Sequence, residues 1–381
     1  MFQRYLSKLI IVLAIINANP SMAEMQDGTI PEIVNTLKSN IKDQKALTNI
    51  ERWYEGAPDD LSGLALKISL QNLFQKIGLW EGDLLDPQDP FFWVALEEEL
   101  NLDSAISHIG CTFRRKGNRW FVDYIDPYGT AYSAGLKKGD ALVSIGGKEL
   151  KDIRSVLQRK TGFTKIAFKR TPFSKEESVQ VAFKKQKALD FFGSLSRNSE
   201  TIFPIADAKV GYYRLLGDSP RFQHDLKTAL DRFERKTQGL ILDLRGGLPS
   251  RSYGLASMFL PHKSKGEFKN PLYSKKLFVL VDSKTSGGRE WLAHLLKTNR
   301  EATLIGTPTA GVIFQRKNFF IGKNKWLVRI PVADPENDVG LKEGKAITPK
   351  FVVEGSLMYA SGIDDTLEKT FEIIRSWRAQ L

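Results

Sequence analysis

The chain has 381 residues, 42% hydrophobic and 26% charged, with a net charge of +12, four histidines and one cysteine. These proportions exclude a disordered or collagen-like polymer and leave room for two or three globular domains. A single cysteine, Cys111, excludes an internal disulfide framework, and histidines this sparse, without metal-ligand spacing, point to no metal and no cofactor.

Arg4 and Lys8 precede the apolar run Leu9 to Ile16, and Ser21-Met22-Ala23 closes the segment with small side chains. That order predicts a secretory signal peptide over residues 1–23, and with it export to a periplasmic or secreted location after cleavage behind Ala23. A membrane anchor needs about 20 apolar residues, and Asn17, Asn19 and Pro20 interrupt this run too early. No later stretch is apolar for long enough, so the mature chain is expected to carry no membrane span. Without Arg4 and Lys8 the charge is +10, with local clusters such as Arg114-Arg115-Lys116 and Lys184-Lys185. None is interleaved with aromatic residues, which predicts weak attraction to anionic surfaces and no specific nucleic-acid recognition.

Residues 24–104 carry helical patterns at Ile30 to Ile41, Leu61 to Ile77 and Phe91 to Leu100, and are read as an N-terminal helical region. From Ile106 the pattern shifts to short strands. Trp120 to Ile125 alternates, Asp126-Pro127-Tyr128-Gly129 turns, and Ala131 to Ala134 is a short helical piece. Gly135-Leu136-Lys137-Lys138-Gly139-Asp140 leads into the strand Ala141 to Ile145, and Gly146-Gly147 makes a hairpin turn. This order resembles a PDZ domain of the kind associated with bacterial proteases, over residues 105–187. PDZ domains add an extended chain end to an open sheet edge. The resemblance places the carboxylate-binding loop at His108-Ile109-Gly110-Cys111, with C-terminal peptides as partners.

Residues 188–381 alternate strands and helices, the pattern of an α/β domain. Val210 to Leu215 reads as a strand, Phe222 to Thr237 as an amphipathic helix, and Gly239 to Leu244 as a buried strand ending in Gly246-Gly247. Leu277 to Val281 is the next strand. Asp282 to Thr285 then leads through Ser286-Gly287-Gly288 into a helix over Glu290 to Lys297, Ala302 to Gly306 is another strand, and Leu367 to Trp377 closes the chain as a helix. A hydroxyl at a tight strand-to-helix turn stands clear of its neighbours, and the unpaired N–H groups of the first helical turn can stabilise an oxyanion. An ordinary glycine-rich helix cap has the same composition, so both readings stand here.

The segments VGYYRL, GLILDLRGG, VLVDSKTSGGREWLA, LIGTPTAG and LKEGKAITPKFVV, following the PDZ-like run, resemble the C-terminal-processing (tail-specific) serine peptidases from Ile106 to Val353. The resemblance implies a crotonase-like β/β/α core with an inserted PDZ domain, and hydrolysis of polypeptide substrates. Two positions depart from the family pattern. Gly287 stands where the family has its serine, three residues before Glu290, and Val312 follows Thr309-Ala310-Gly311 where members with a Ser–Lys dyad have lysine. A second branch of the family uses serine, histidine and a carboxylate. On that pattern Ser286 is the nucleophile, His108 the base and Glu343 its orienting carboxylate, while Gly247 and Gly288 supply the oxyanion donors. His224, His262 and His294 lie in segments without such a motif. The rival expectation is a catalytically inactive relative that binds peptides or partner proteins.

Overall fold

The computed structural model describes residues 29–58, 61, 63–79, 82–87, 89–150, 161–248, 254–264, 267–312, 315–323, 325–332 and 344–380. The expected signal segment and Glu343 lie outside them.

Helices α1 (Thr29–Asn40), α2 (Gln44–Glu55) and α3 (Gly63–Lys76) lead to strand β1 (Asp83–Leu85) and helix α4 (Pro90–Leu100). Asp43 and Asp89 cap α2 and α4 by accepting the N–H groups of Ala46 and Phe91. Strands β2 (Ala105–His108), β3 (Cys111–Lys116) and β4 (Arg119–Ile125) follow, then the short helix α5 (Thr130–Ser133). Strands β5 (Ala141–Ile145), β6 (Lys148–Glu149), β7 (Gly162–Lys169) and β8 (Glu177–Lys187) come next. Helix α6 (Ala188–Asn198) leads to β9 (Thr201–Ile205), β10 (Ala208–Arg214), helix α7 (Pro220–Lys236) and β11 (Gly239–Asp243). The hairpin β12 (His262–Ser264) and β13 (Glu267–Lys269) precedes β14 (Lys276–Val281), helix α8 (Gly288–Asn299) and β15 (Thr303–Gly306). Strands β16 (Gln315–Ile321), β17 (Trp326–Val332) and β18 (Phe351–Val352), and helix α9 (Asp365–Arg378), complete the order.

These elements form two compact units. The first comprises the described residues up to Asp86 together with Lys317–Ile330. Leu37, Ile50, Leu70 and Phe74 of its helices share one core with Ile321, Trp326 and Val328 of the late hairpin, and β17 pairs antiparallel with β1. The hairpin lies in the 188–381 stretch of the sequence, yet its apolar side chains are buried among the N-terminal helices.

The second unit holds Pro87–Arg316 and Pro331–Leu381. It contains a sheet of order β2-β8-β7-β5-β4-β3, with β6 on β5, and antiparallel pairing throughout. Val122, Leu142, Ile166, Phe168 and Val181 fill its interior. The other sheet has the order β18-β15-β14-β11-β10-β9. Its strands run parallel from β18 to β10, and β9 is antiparallel at the edge. The unbroken apolar run of β11 is fully buried, as a strand covered on both faces must be. Helix α9 covers one face, with Trp377 edge-on against Phe278 at 5.7 Å. The fold is therefore mixed α/β.

Within this unit the Lys137-Lys138-Gly139 turn meets the loop before α9. Tyr359 N–H donates to the Gly139 carbonyl at 3.0 Å, Gly362 N–H to the Lys138 carbonyl at 2.9 Å, and Lys138 Nζ lies 2.8 Å from Asp364. Among the described residues no helix is long and apolar enough to cross a membrane.

Candidate active site

Two turns leave the C-terminal ends of the neighbouring parallel strands β11 and β14, the edge of an α/β sheet where ligands gather. They are fastened together by one carboxylate and one hydroxyl. Asp282 Oδ1 accepts the N–H of Gly246 at 2.9 Å and that of Lys284 at 3.0 Å, while Oδ2 accepts from Arg114 Nη2 at 3.3 Å. Thr285 Oγ1 donates to the Leu244 carbonyl at 2.9 Å and accepts the Asp282 N–H at 3.0 Å. Burial alone would raise the Asp282 carboxyl. The Gly246 N–H and Arg114 outweigh it and hold it below the usual carboxylate range.

Ser286 is half-buried in the second turn, and its hydroxyl has no hydrogen-bond partner among the described residues. Gly287 follows at φ 62°, ψ −137°, a conformation that glycine enters readily and other residues do not, and it caps α8. Its N–H donates to the Val312 carbonyl at 2.5 Å. Buried Glu290 holds the loop opposite: Oε1 accepts from Thr309 Oγ1 and from Gly311 N–H at 2.8 Å, Oε2 from Val312 N–H at 2.8 Å. Gly288 opens the first turn of α8, where backbone N–H groups are unpaired by construction. Gly247 has φ 82°, and no hydrogen bond engages its N–H among the described residues.

His108 lies at the end of β2. Its Nδ1 accepts the Gly110 N–H at 3.2 Å, so the ring proton sits on Nε2, which donates to Gln186 Oε1 at 3.1 Å. Phe191 stacks on the ring at 4.3 Å. Burial pushes the imidazole pKa down to about 4, and the ring is neutral at physiological pH. Both ring nitrogens are thus engaged, and no hydrogen bond joins His108 to Ser286. Ile109 and Cys111 are buried, Gly110 has φ 79°, and burial pushes the Cys111 thiol well above the ordinary range.

Asp243 and Arg245 form a buried pair at 2.7 Å. Arg245 also reaches Asp364 at 2.8 Å. Beside them a cavity of about 190 Å³ is lined by Arg114, Lys138, Arg214, Arg245, Asp282 and Ser283. The sequence reading missed Asp282, Arg289 and Arg114. Arg289 carried one signal: it stands three residues before Leu292 on the apolar face of α8, and it is fully buried. Among the described residues no His, Cys, Asp and Glu cluster suits a metal ion.

The site thus pairs two glycine turns at the ends of parallel strands, the second of which carries the unpartnered Ser286 hydroxyl. Residues 209–353 match peptidase family S41. The carboxy-terminal processing protease CtpB of Bacillus subtilis (strain 168) is 23% identical over 389 residues, covering 92% of this chain and 73% of that protein. The fold is shared with a photosystem II D1 C-terminal processing protease, at a TM-score of 0.51 and 16% identity over 88% of this chain and 97% of that one. A putative S41 protease from Bacteroides fragilis NCTC 9343 has a TM-score of 0.53 and 17% identity, covering 88% and 98% of the two chains. Residues 209–353 thus carry a peptidase family S41 domain, and over 92% of its length the chain is similar to a carboxy-terminal processing protease.

Proposed function

We propose that this chain is an exported peptidase that captures polypeptide chain ends and hydrolyses them at Ser286. The observation that carries the reading is the half-buried, unpartnered Ser286 hydroxyl in a turn that Asp282 and Thr285 fasten to the Leu244–Gly247 turn, with the N–H of Gly247 unengaged and Gly288 opening the first turn of α8. Ser286 Oγ attacks the scissile carbonyl and the two amides take up the oxyanion. His108 receives the serine proton, and Glu343 fixes its ring. The residues 105–187 act as a PDZ domain on a crotonase-like core. Support comes from β3, which pairs with β4 alone among the described residues, leaving an edge to which a strand can add. A substrate carboxylate seated at Ile109-Gly110-Cys111 takes the Gly110 N–H from His108 Nδ1, freeing that nitrogen to act as base.

A second reading is favoured by Gly287 and Val312. They occupy the serine and lysine positions of the dyad-bearing relatives, and here a backbone hydrogen bond joins them. On that reading the protein binds chain ends without cutting them. Fluorophosphonate labelling and cleavage of an unstructured substrate separate the two. Wild type should react, and Ser286→Ala and His108→Ala should not. Equal cleavage by all three removes Ser286 and His108 from the reaction, and cleavage by none gives the site to binding.

A further inference from the structure

Arg289 is the largest side chain buried below 2% exposure, and its charge meets no carboxylate in an ion pair among the described residues. Instead the guanidinium is spent on three carbonyls of one turn. Nη1 donates to Leu244 O at 3.0 Å and to Gly246 O, and Nη2 donates to Leu248 O at 2.8 Å. Nε is buried with no hydrogen-bond partner among the described residues. Burial lowers its pKa to about 10, with Asp218 the main carboxylate opposing that shift, so it remains charged at neutral pH. Burying a cation with so little ionic compensation is costly, and such cost is retained where it positions something.

What it positions follows from peptide planarity. In a trans peptide the C=O of one residue and the N–H of the next point in opposite directions. Drawing the Gly246 carbonyl onto the guanidinium therefore turns the Gly247 N–H away from it, to the side where no described residue engages it. From the other side, Asp282 holds the Gly246 N–H at 2.9 Å. The turn also leaves no room for an alternative residue. A Cβ on Gly247 would lie 2.5 Å from Arg289 Nη1 and 2.7 Å from the Leu216 carbonyl.

We infer that Arg289 is a positioning residue that aims the Gly247 N–H outward as an anion-stabilising donor. The inference rests on the hydrolytic reading only for the use made of that donor. Lysine keeps the charge but is a point donor that cannot bind three carbonyls in a fixed fork.

The test is a crystal structure of Arg289→Lys, with Arg289→Met as a second variant, each checked for an unchanged thermal transition width. The expected result is a rotated 246–247 peptide plane, or a turn that loses its single conformation. A folded variant that keeps the wild-type plane overturns the proposal. Kinetics form a separate arm. Where wild type cleaves peptides, Arg289→Lys should lose about 100-fold in kcat with KM nearly unchanged, the signature of a lost oxyanion donor. A matching rise in KM at constant kcat counts against it. Where wild type does not cleave, the hydrolytic reading falls and the crystal structure still decides the role of Arg289.

Discussion

The backbone N–H of Gly287 donates to the carbonyl of Val312 at 2.5 Å, so the two positions that depart from the family's dyad pattern are direct neighbours. Glu290 fixes this contact through three hydrogen bonds to residues 309–312. Neither Gly287 nor Val312 carries the hydroxyl or amine that a serine–lysine pair needs.

Gly287→Ser sets a side chain at φ 62°, ψ −137°. It should cost about 1–3 kcal/mol in urea unfolding. Combining it with Val312→Lys should raise fluorophosphonate labelling at least about tenfold over wild type, one unit of log rate being a small fraction of what a nucleophile contributes. Labelling no higher than wild type means that residue 287 is not aimed at a substrate.

His108 makes stability depend on pH. Its folded pKa is about 4 against an ordinary 6.5. Between those values the unfolded chain holds the extra proton, so stability falls as pH drops from 6.5 to 4 and is flat on this account above and below. The span is worth about 3 kcal/mol. Urea midpoints from pH 7 to 4 should show a shallower slope in His108→Gln than in wild type, and identical slopes would remove His108 as the cause.

Much of the α/β order was readable because each buried strand announces itself locally. Gly239 to Leu244 and Leu277 to Val281 are short apolar runs bounded by glycine or polar turns, and the structure has β11 and β14 there. What escaped was non-local. Helix α2 carries Lys45, Glu51 and Arg52 and lies outside the helical patterns read in the sequence, yet Ile50 is completely buried. The partners of the β16–β17 hairpin lie far back in the chain, and no local pattern names them. At the site, Ser286 and the glycine turns were visible as composition. Arg289 was marked only by its place on the apolar face of α8, because a sequence shows charge but not what surrounds it. The engagement of His108 by Gln186 depends on pairing β2 with β8 across the sheet.

Gly139 has φ 88°, and an added Cβ would collide with the Ala360 backbone nitrogen and sit 2.7 Å from the Leu357 carbonyl. Gly139→Ala should therefore cost more than conformational strain, about 2 kcal/mol or above. Gly147→Ala is the control, since φ is 74° there and nothing lies within 4 Å. Chymotrypsin should cut the Leu357–Tyr359 loop faster in Gly139→Ala than in Gly147→Ala. Equal cutting means the turn does not hold that loop.

Asp364 concentrates the charge balance of the second unit. It lies 2.8 Å from Arg245 Nη1 and 2.8 Å from Lys138 Nζ, and its Oδ1 accepts the Leu367 N–H at 3.2 Å as the cap of α9. Burial would raise its carboxyl, but Arg245 and Lys138 together hold it far below the ordinary range. A depressed folded pKa means stability that is fully present above the unfolded value of about 3.9 and lost as pH falls toward the folded one. Asp364→Asn keeps the shape and remains a good cap, so the loss it causes isolates the charge. Lys138 is then left partly buried without its anion, and Arg245 with Asp243 alone. The expected cost is about 3–5 kcal/mol at neutral pH, typical of breaking a buried pair from one side. It should shrink as pH falls below about 3.9, because the unfolded wild type then binds a proton that the folded carboxylate does not. Asp365→Asn, at an exposed carboxylate bonded to Ser356 N–H at 3.1 Å, should stay within about 0.5 kcal/mol. If Asp364→Asn and Asp365→Asn unfold at the same urea concentration, the Asp364 network does not hold this unit together.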